Sequence, residues 1–485
     1  MDFEAMVWPD GVAIAFSVLA IQILVSIHIL NTKDEVRSAI AWCAVVWLAP
    51  VFGLIFYGLF GISRIKRRAV AAREKRGLAP RITPSGAMSG PTITDINANA
   101  ANRWVSHDLL ARRVTASELT AGNSVEPLNG GREAYDAMIC AIDGAEKTVA
   151  LSTYIFQADQ AGRRFVAALF RAKERGVDVK VLVDAVGNLY GLKPVTNLLR
   201  RHGIDVATFN PARVSWRLAF FNLRTHRKML MIDGSIAFTG GMNIRKHHLE
   251  DKHGNQRVRD THFKLAGPIV QQMIETFADD WLFSNQPMLD DEVWADTNVK
   301  AGGKIAARAI SDGPDEPFQK TAMLMESALS SARERVQIIS PYFLPEQELV
   351  AELKQAALRG VKIDILIPEK NNLPFFSVAA MSGMRQLVSA GCNLYLSPPP
   401  FDHTKLMIVD GVWTLFGSSN WDARSLKLNF EFNVECYDPD LGQQMCNWVK
   451  PRFDKARQVT VNDLKNRPRS HRIFGRIMWL ASPYL

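Results

Sequence analysis

Two short stretches of this chain carry the same chemically active set. His226, Lys228 and Asp233 lie in THRKMLMIDGSIAFTGGMN (225–243), and His403, Lys405 and Asp410 lie in DHTKLMIVDGVWTLFGSSN (402–420). In each, the Lys follows the His by two residues and the Asp follows the Lys by five. Each stretch then closes on small residues and an Asn: Gly240, Gly241 and Asn243 in the first, Gly417, Ser418 and Asn420 in the second. One such pattern is a weak signal, because a strand histidine often precedes a lysine. Two copies in equivalent places imply one active site built from two halves.

Two imidazoles, two ammonium groups and two amides around one pocket suit a phosphodiester. Lys228, Lys405, Asn243 and Asn420 are expected to hold the non-bridging oxygens and stabilise charge developing on them. One neutral His attacks phosphorus, while the other, protonated, hands its proton to the leaving alkoxide. The second His then deprotonates an incoming alcohol or water, which resolves the phosphohistidine. The two imidazoles need opposite protonation states, so they should titrate as a coupled pair. No metal and no other cofactor is expected, since no carboxylate cluster is present to bind one. A nucleophilic His needs its other ring nitrogen held by a partner. Asp260 in VRDTHF and Glu431 in LNFEFNVE follow His226 and His403 by 34 and 28 residues. Each is expected to orient the His that it follows.

The elements that must position these groups can be read from the repeat around them. TVALSTYIFQ then FVAALFRAKERGVDVKVLVD in the first half match RVQIISPYFLP then LVAELKQAALRGVKIDILIP in the second. Each is an apolar strand, a helix with three- and four-residue apolar spacing, a terminating Gly (Gly176, Gly360), and another strand. Tyr154 matches Tyr342, and Arg200–Val206 matches Val388–Leu394. Strands alternating with helices predict an α/β fold with right-handed connections and a mainly parallel or mixed sheet. Two copies predict a pseudo-two-fold axis. Asp233-Gly234 and Asp410-Gly411 each join two apolar runs, which is a hairpin signal. His and Lys are then expected on the first strand with both side chains on one face. Asp233 and Asp410 fall at the turn and are expected to fix it rather than do chemistry.

The rest of the chain sets the context. It has 485 residues and a net charge of +9, which suits anionic partners. Five scattered cysteines show neither metal-ligand spacing nor a disulfide framework. Gly11–Leu30 is an uncharged run of bilayer-spanning length, and Ser38–Ile62 is a second, interrupted by Pro50. Acidic residues ahead of the first run (Asp2, Glu4, Asp10) argue against a secretory signal. Lys33 and Arg37 alone lie between the runs, whereas Arg64, Lys66, Arg67, Arg68, Arg73, Lys75 and Arg76 follow the second. That asymmetry predicts a hairpin anchor with the remainder facing the cytoplasm. The expected organisation is an anchor (1–76), a linker (77–123) with one short helix near Trp104–Arg113, two repeats (124–300 and 301–464) and a basic-aromatic tail (465–485).

With these residues in place the chain resembles the phospholipase D superfamily, and within it the bacterial cardiolipin synthases. The superfamily likeness rests on the paired His-x-Lys-x4-Asp motifs over roughly 124–461. The narrower likeness rests on AWCAVVWLAPVFGLIFYGLFG, NLRTHRKMLMIDGSIAFTGGMNI, VRDTHFKLAGP, ISPYFLP and ARSLKLNFEFNVE. The resemblance implies two pseudo-symmetric phospholipase D-like αβα sandwich domains behind a two-helix membrane anchor, in the bacterial inner membrane. It implies phosphatidyl transfer: one phosphatidylglycerol forms a phosphatidyl-His, and a second phospholipid's hydroxyl resolves it with release of glycerol. His226 would be the nucleophile and His403 the acid and base. Water as acceptor would make the chain a phospholipase D hydrolase instead. A nuclease is a third reading, but no nucleic-acid partner is expected, because the motif flanks lack a basic-aromatic run for a strand. Anionic phospholipids and the membrane are the expected partners. After GGMNI the chain departs from the family with the basic, His-rich RKHHLEDKHGNQ, so the acceptor stays open between phosphatidylglycerol, phosphatidylethanolamine and another lipid. His247, His248 and His253 there are expected on a solvated loop, not at a metal. Between Gly203 and His226 the first half has an insert, SWRLAFFNLR, whose Trp216, Leu218, Phe220 and Phe221 are candidates for dipping into the membrane surface.

Overall fold

The structure is a computed structural model that describes residues 9–33, 35–62, 70–71, 101–190, 194–210, 223–249, 257–294 and 301–480. It divides into two compact units, 1–67 and 68–485. The basic cluster 64–76 apart from residues 70–71, the 215–222 part of the aromatic insert, and His253 lie outside the described residues.

In the first unit, the helix Pro9–Thr32 contains an apolar stretch, Val12–Thr32, long enough to cross a bilayer. The second apolar run is not one helix. It breaks into Val36–Leu48 and Pro50–Phe56, followed by a π turn at Tyr57–Gly61. Pro50 causes the break, since it has no N–H to donate and its ring crowds the preceding turn. The pieces pack on the first helix through Ile29, Ala39, Val46 and Tyr57. Gln22 Nε2 donates to the Val46 carbonyl at 2.8 Å.

The second unit holds both repeats. The first contributes β1 (Thr120–Asn129), β2 (Thr148–Thr153), β3 (Asp178–Asp184), β4 (Asp205–Phe209), β5 (Arg224–Thr225), β6 (Met229–Ile232), β7 (Ile236–Gly240), β8 (Val258–Arg259) and β9 (Thr261–Ala266). The second contributes β10 (Ile305–Asp312), β11 (Arg335–Ile339), β12 (Phe343–Leu344), β13 (Lys362–Pro368), β14 (Asn393–Ser397), β15 (Phe401–Asp402), β16 (Leu406–Val409), β17 (Trp413–Gly417), β18 (Trp421–Asp422), β19 (Asn429–Tyr437) and β20 (Arg457–Val459). The main sheet has the order β20-β14-β13-β11-β16-β17-β19-β10-β1-β9-β7-β6-β2-β3-β4. Outward from the antiparallel β1–β10 join, the two halves have matching orders, which is the expected pseudo-two-fold in one continuous sheet. β2-β3-β4 and β11-β13-β14 are parallel, and the hairpins at the centre are antiparallel.

Strand alternation makes each half a sandwich. Val149, Leu151, Val181, Leu230 and Phe238 pack with helices Gly130–Asp143 and Gln160–Glu174. The intervening Ala150, Leu182, Met229 and Met231 are buried too, on the opposite face. The helix Ile269–Phe283 contacts these strands. Strands buried on both faces read as continuous apolar runs, which is why the sequence marked them.

The stretch expected as a linker is core from residue 101 onward. Ala101–Thr115 is a helix whose Trp104 is fully buried against Trp413 and Tyr437 of the second repeat. Beneath it, Glu435 accepts from Arg308 at 2.6 Å, from Trp413 Nε1 at 2.9 Å and from the Tyr437 hydroxyl at 3.1 Å, with His107 Nε2 also at 3.1 Å. Burial alone would raise the Glu435 carboxyl, but Arg308 and His107 hold it down at about 2. The short helix expected near Trp104–Arg113 is present, but it is not linker: Trp104, Ala111 and Val114 bury a face against the second repeat.

Candidate active site

Each motif hairpin folds as its Asp-Gly pair demands. Asp233 and Gly234 have φ of 49° and 64°, and Asp410 and Gly411 have 52° and 61°. Positive φ at both central residues is the turn that matches strand twist. The Asp carboxylates reach beyond the turn. Asp233 accepts the backbone N–H groups of Glu146, Lys147 and Thr148 at 2.8–2.9 Å. Asp410 accepts those of Arg333, Glu334 and Arg335 at 2.8–3.0 Å, and pairs with Arg103 at 2.9 Å. Both acids therefore brace the start of the neighbouring strand, away from the histidines. Asp410→Asn is expected to cost about 2–3 kcal/mol of stability, the value of charge-assisted hydrogen bonds. Denaturant unfolding should show that loss, while kcat of the folded enzyme stays unchanged.

The histidines and lysines do not sit on the hairpin strands. His226–Lys228 and His403–Lys405 are extended segments just ahead of β6 and β16. Each segment is captured by the other repeat. β5 pairs with β19, placing Thr225 opposite Phe430, and His226 N–H donates to the Phe430 carbonyl at 2.8 Å. β15 pairs with β8, placing Asp402 opposite Arg259, and His403 N–H donates to the Arg259 carbonyl at 2.8 Å. The next residues after Phe430 and Arg259 are Glu431 and Asp260.

The orienting acids are consequently exchanged relative to the sequence expectation. His226 Nδ1 lies 3.1 Å from Glu431, and His403 Nδ1 lies 3.0 Å from Asp260. Both carboxyl groups are fully buried, while the His226 and His403 side chains keep 14% and 9% exposure. The two Nε2 atoms are left for chemistry. Lys228 Nζ donates to the His226 carbonyl, and Lys405 Nζ donates to the His403 carbonyl at 2.6 Å. Each lysine thus ties the backbone of its own histidine.

The two acids have different surroundings. Glu431 also accepts from the hydroxyls of Ser418 and Ser425, the latter at 2.7 Å, and from Asn429 Nδ2 at 3.1 Å. Burial pushes its carboxyl up, but His226, Lys228 and Ser418 bring it below the usual range. Asp260 accepts one backbone N–H, from Thr261 at 2.9 Å. The residue matching Ser418 is Gly241, where any Cβ would sit 2.6 Å from the Asp260 carboxylate and 2.8 Å from the His403 carbonyl. Burial therefore wins, and the Asp260 carboxyl is raised to about 8. Burial lowers both histidines, with Glu431 partly opposing it for His226, and Lys405 and Lys228 reinforcing it for His403. Burial first draws Lys228 down to about 7 and Lys405 to about 8.

A cavity of about 170 Å³ opens at this centre. Its walls include His226, Tyr154, Tyr342, Arg224, Arg424 and Asn420. Tyr154 stacks edge-on to His226 at 5.3 Å, and Tyr342 to His403 at 6.3 Å. Among the described residues no cluster of His, Cys, Asp or Glu could hold a metal ion. Asn420 lines the cavity, whereas the Asn243 side-chain Oδ1 accepts from Ile155 N–H at 3.1 Å. Sequence reasoning passed over Arg224, Arg424, Ser425 and Asn429, and named Ser418 only as a small residue closing the second motif. Ser418 opposite Gly241 in the repeat was the available signal. The expected solvated histidine loop is corrected in part: His248 is fully buried against Tyr135, and His247 is half-buried. The Lys246–His248 turn packs on helix Gly130–Asp143, where Gly131 leaves no room for a Cβ.

The family described as "Cardiolipin synthase, PLD-like domain" matches residues 138–281 and 325–452. The family described as "Phospholipase D-nuclease N-terminal" matches residues 20–61. The chain is 30% identical over 464 residues to Cardiolipin synthase A of Pseudomonas entomophila (strain L48), covering 96% of each chain. It is 30% identical over 474 residues to Cardiolipin synthase of Oceanobacillus iheyensis (strain DSM 14371), covering 96% of this chain and 98% of that one. Among solved structures, phosphatidylserine synthase of Haemophilus influenzae Rd KW20 aligns with a TM-score of 0.61 at 16% identity. It covers 78% of this chain and 100% of that one, a likeness of fold.

Proposed function

This chain belongs to the bacterial cardiolipin synthases of the phospholipase D superfamily, phosphatidyltransferases that work on phospholipids at membranes, and on that premise we propose that it makes cardiolipin from two phosphatidylglycerol molecules through a phosphohistidine. The observation that carries the reading is the pair of imidazoles, each held at Nδ1 by a buried acid of the opposite repeat.

The unlike acids support unlike roles. Ionised Glu431 can only accept, so it keeps the His226 proton on Nδ1 and leaves the Nε2 lone pair free to attack phosphorus. The Asp260–His403 pair retains one more proton near neutral pH, because Asp260 is raised to about 8. That proton passes through His403 Nε2 to the departing glycerol alkoxide as the P–O bond breaks and the P–N bond to His226 forms. The pair, now short of a proton, takes one from the hydroxyl of the second phosphatidylglycerol. The resulting oxygen attacks phosphorus, the P–N bond breaks, and cardiolipin leaves. Lys228, Lys405, Arg224, Arg424 and the two Asn amides supply donors for the phosphoryl oxygens. The anchor and the cytoplasm-facing, multi-pass topology read from the Lys and Arg asymmetry belong to the same proposal, as does the inner membrane as its place.

Incubation of the purified chain with phosphatidylglycerol vesicles and mass analysis of products tests this. Cardiolipin and glycerol in equal amounts are expected. Phosphatidic acid as sole lipid product would make the chain a hydrolase.

A further inference from the structure

The helix Arg469–Leu480 packs onto helix Pro374–Ser389 with one face and leaves a second face open. The packed face is set by Gly475, where a Cβ would lie 2.3 Å from Ser382 Oγ and 2.8 Å from the Val378 carbonyl. Met478 and Trp479 sit beside it against a cluster containing Phe376 and Tyr342. Those two residues also line the cavity that holds His226. The open face carries Ile473, Phe474, Ile477 and Leu480, which are 63%, 44%, 57% and 72% exposed. Arg469, Arg472 and Arg476 are exposed along its flank. A groove of about 310 Å³ between residues of the two helices has Arg385, Arg476 and Trp479 among its lining.

Four large apolar side chains at helical spacing are left in water by the described residues of this unit. A basic flank and an indole beside them match an anionic bilayer surface, whose headgroups meet arginine while the apolar face enters the acyl boundary. The cavity mouth has the same character. Leu373, which lines the cavity, is 50% exposed, and Tyr190, which packs edge-on to the lining residue Tyr154, is 56% exposed. We propose that helix Arg469–Leu480 is an interfacial element that lies on an anionic membrane and, through Gly475, Met478 and Trp479, holds the wall formed by Phe376 and Tyr342 at that surface. The inference goes beyond the transfer reading and uses from it only that the substrate lies in a bilayer.

The test uses the full chain reconstituted into nanodiscs of phosphatidylcholine, with or without an equal part of phosphatidylglycerol, and in detergent. Amide hydrogen exchange of residues 469–480 is read by mass spectrometry. Exchange is expected to slow at least about tenfold in the anionic discs. Phe474→Glu with Ile477→Glu should restore detergent-like exchange, and Arg472→Gln with Arg476→Gln should remove the dependence on phosphatidylglycerol. With substrate in the discs, the Glu variant should raise the surface KM and leave kcat unchanged. Equal exchange in all three settings would overturn the proposal, as would protection that survives the Glu substitutions. Protection that follows protein concentration without lipid would assign the face to a second copy of the chain and would also overturn it. The exchange readout needs no turnover, so a failure of the transfer assay leaves it intact.

Discussion

His226→Ala is expected to abolish phosphatidyl transfer, with a loss on the order of 10⁴-fold or more. His403→Ala should lose a comparable amount on phosphatidylglycerol, yet the two variants should separate on a different substrate. A phosphatidyl ester of p-nitrophenol carries a leaving group that departs without a proton. His403→Ala should then give one rapid equivalent of p-nitrophenolate and accumulate a phosphatidyl adduct, visible by mass on the peptide containing residue 226. His226→Ala should give no burst and no adduct. The reasoning is local: Glu431 accepts hydrogen bonds from Ser418, Ser425 and Asn429 besides its pairing with His226 and stays ionised, leaving Nε2 of His226 as a lone pair. A burst from His226→Ala, or an adduct at His403, would reverse the assignment.

The exchanged acids make the second strong prediction. Glu431→Gln should behave as a lesion of His226, reducing the burst by about 10²–10⁴-fold, the scale on which a wrong imidazole tautomer costs rate. Asp260→Asn should behave as a lesion of His403: the burst on the activated ester survives and turnover of phosphatidylglycerol fails. If each acid served the histidine it follows in sequence, the two outcomes would trade places. The pH profile carries the same logic. A lysine with a lowered pKa is charged only below that value, so kcat/KM of the parent should fall as pH rises through about 7 to 8, where Lys228, Lys405 and the Asp260–His403 pair lose protons. The acid limb should lie below the ordinary histidine range, because burial lowers His226. In Asp260→Asn, p-nitrophenolate release should keep the part of the alkaline limb due to the lysines and lose the part due to the pair.

Much of this was legible in one dimension. Periodicity, the Asp-Gly turns and two copies of one pattern determined a two-fold repeat of strand and helix around paired His and Lys, because those signals are local and each residue type has few conformations that satisfy it. The bracing role of Asp233 and Asp410 was legible for the same reason, being tied to a turn that needs positive φ. What lies between the repeats was not legible. The helix near Trp104–Arg113 was legible, but it read as part of a linker, because Trp104 packs on Trp413 and Tyr437, more than 300 positions away. The acids read as partners of their own histidines, because spacing along the chain was the available ruler. Only the assembled sheet shows β5 crossing to β19 and β15 to β8, which carries each histidine to the other repeat's acid. The difference between Ser418 and Gly241 stood in the sequence throughout. Its meaning came from burial: Glu431 is held ionised by His226, Lys228 and the Ser418 hydroxyl, whereas Asp260, beside Asp402 and without that hydroxyl, is raised.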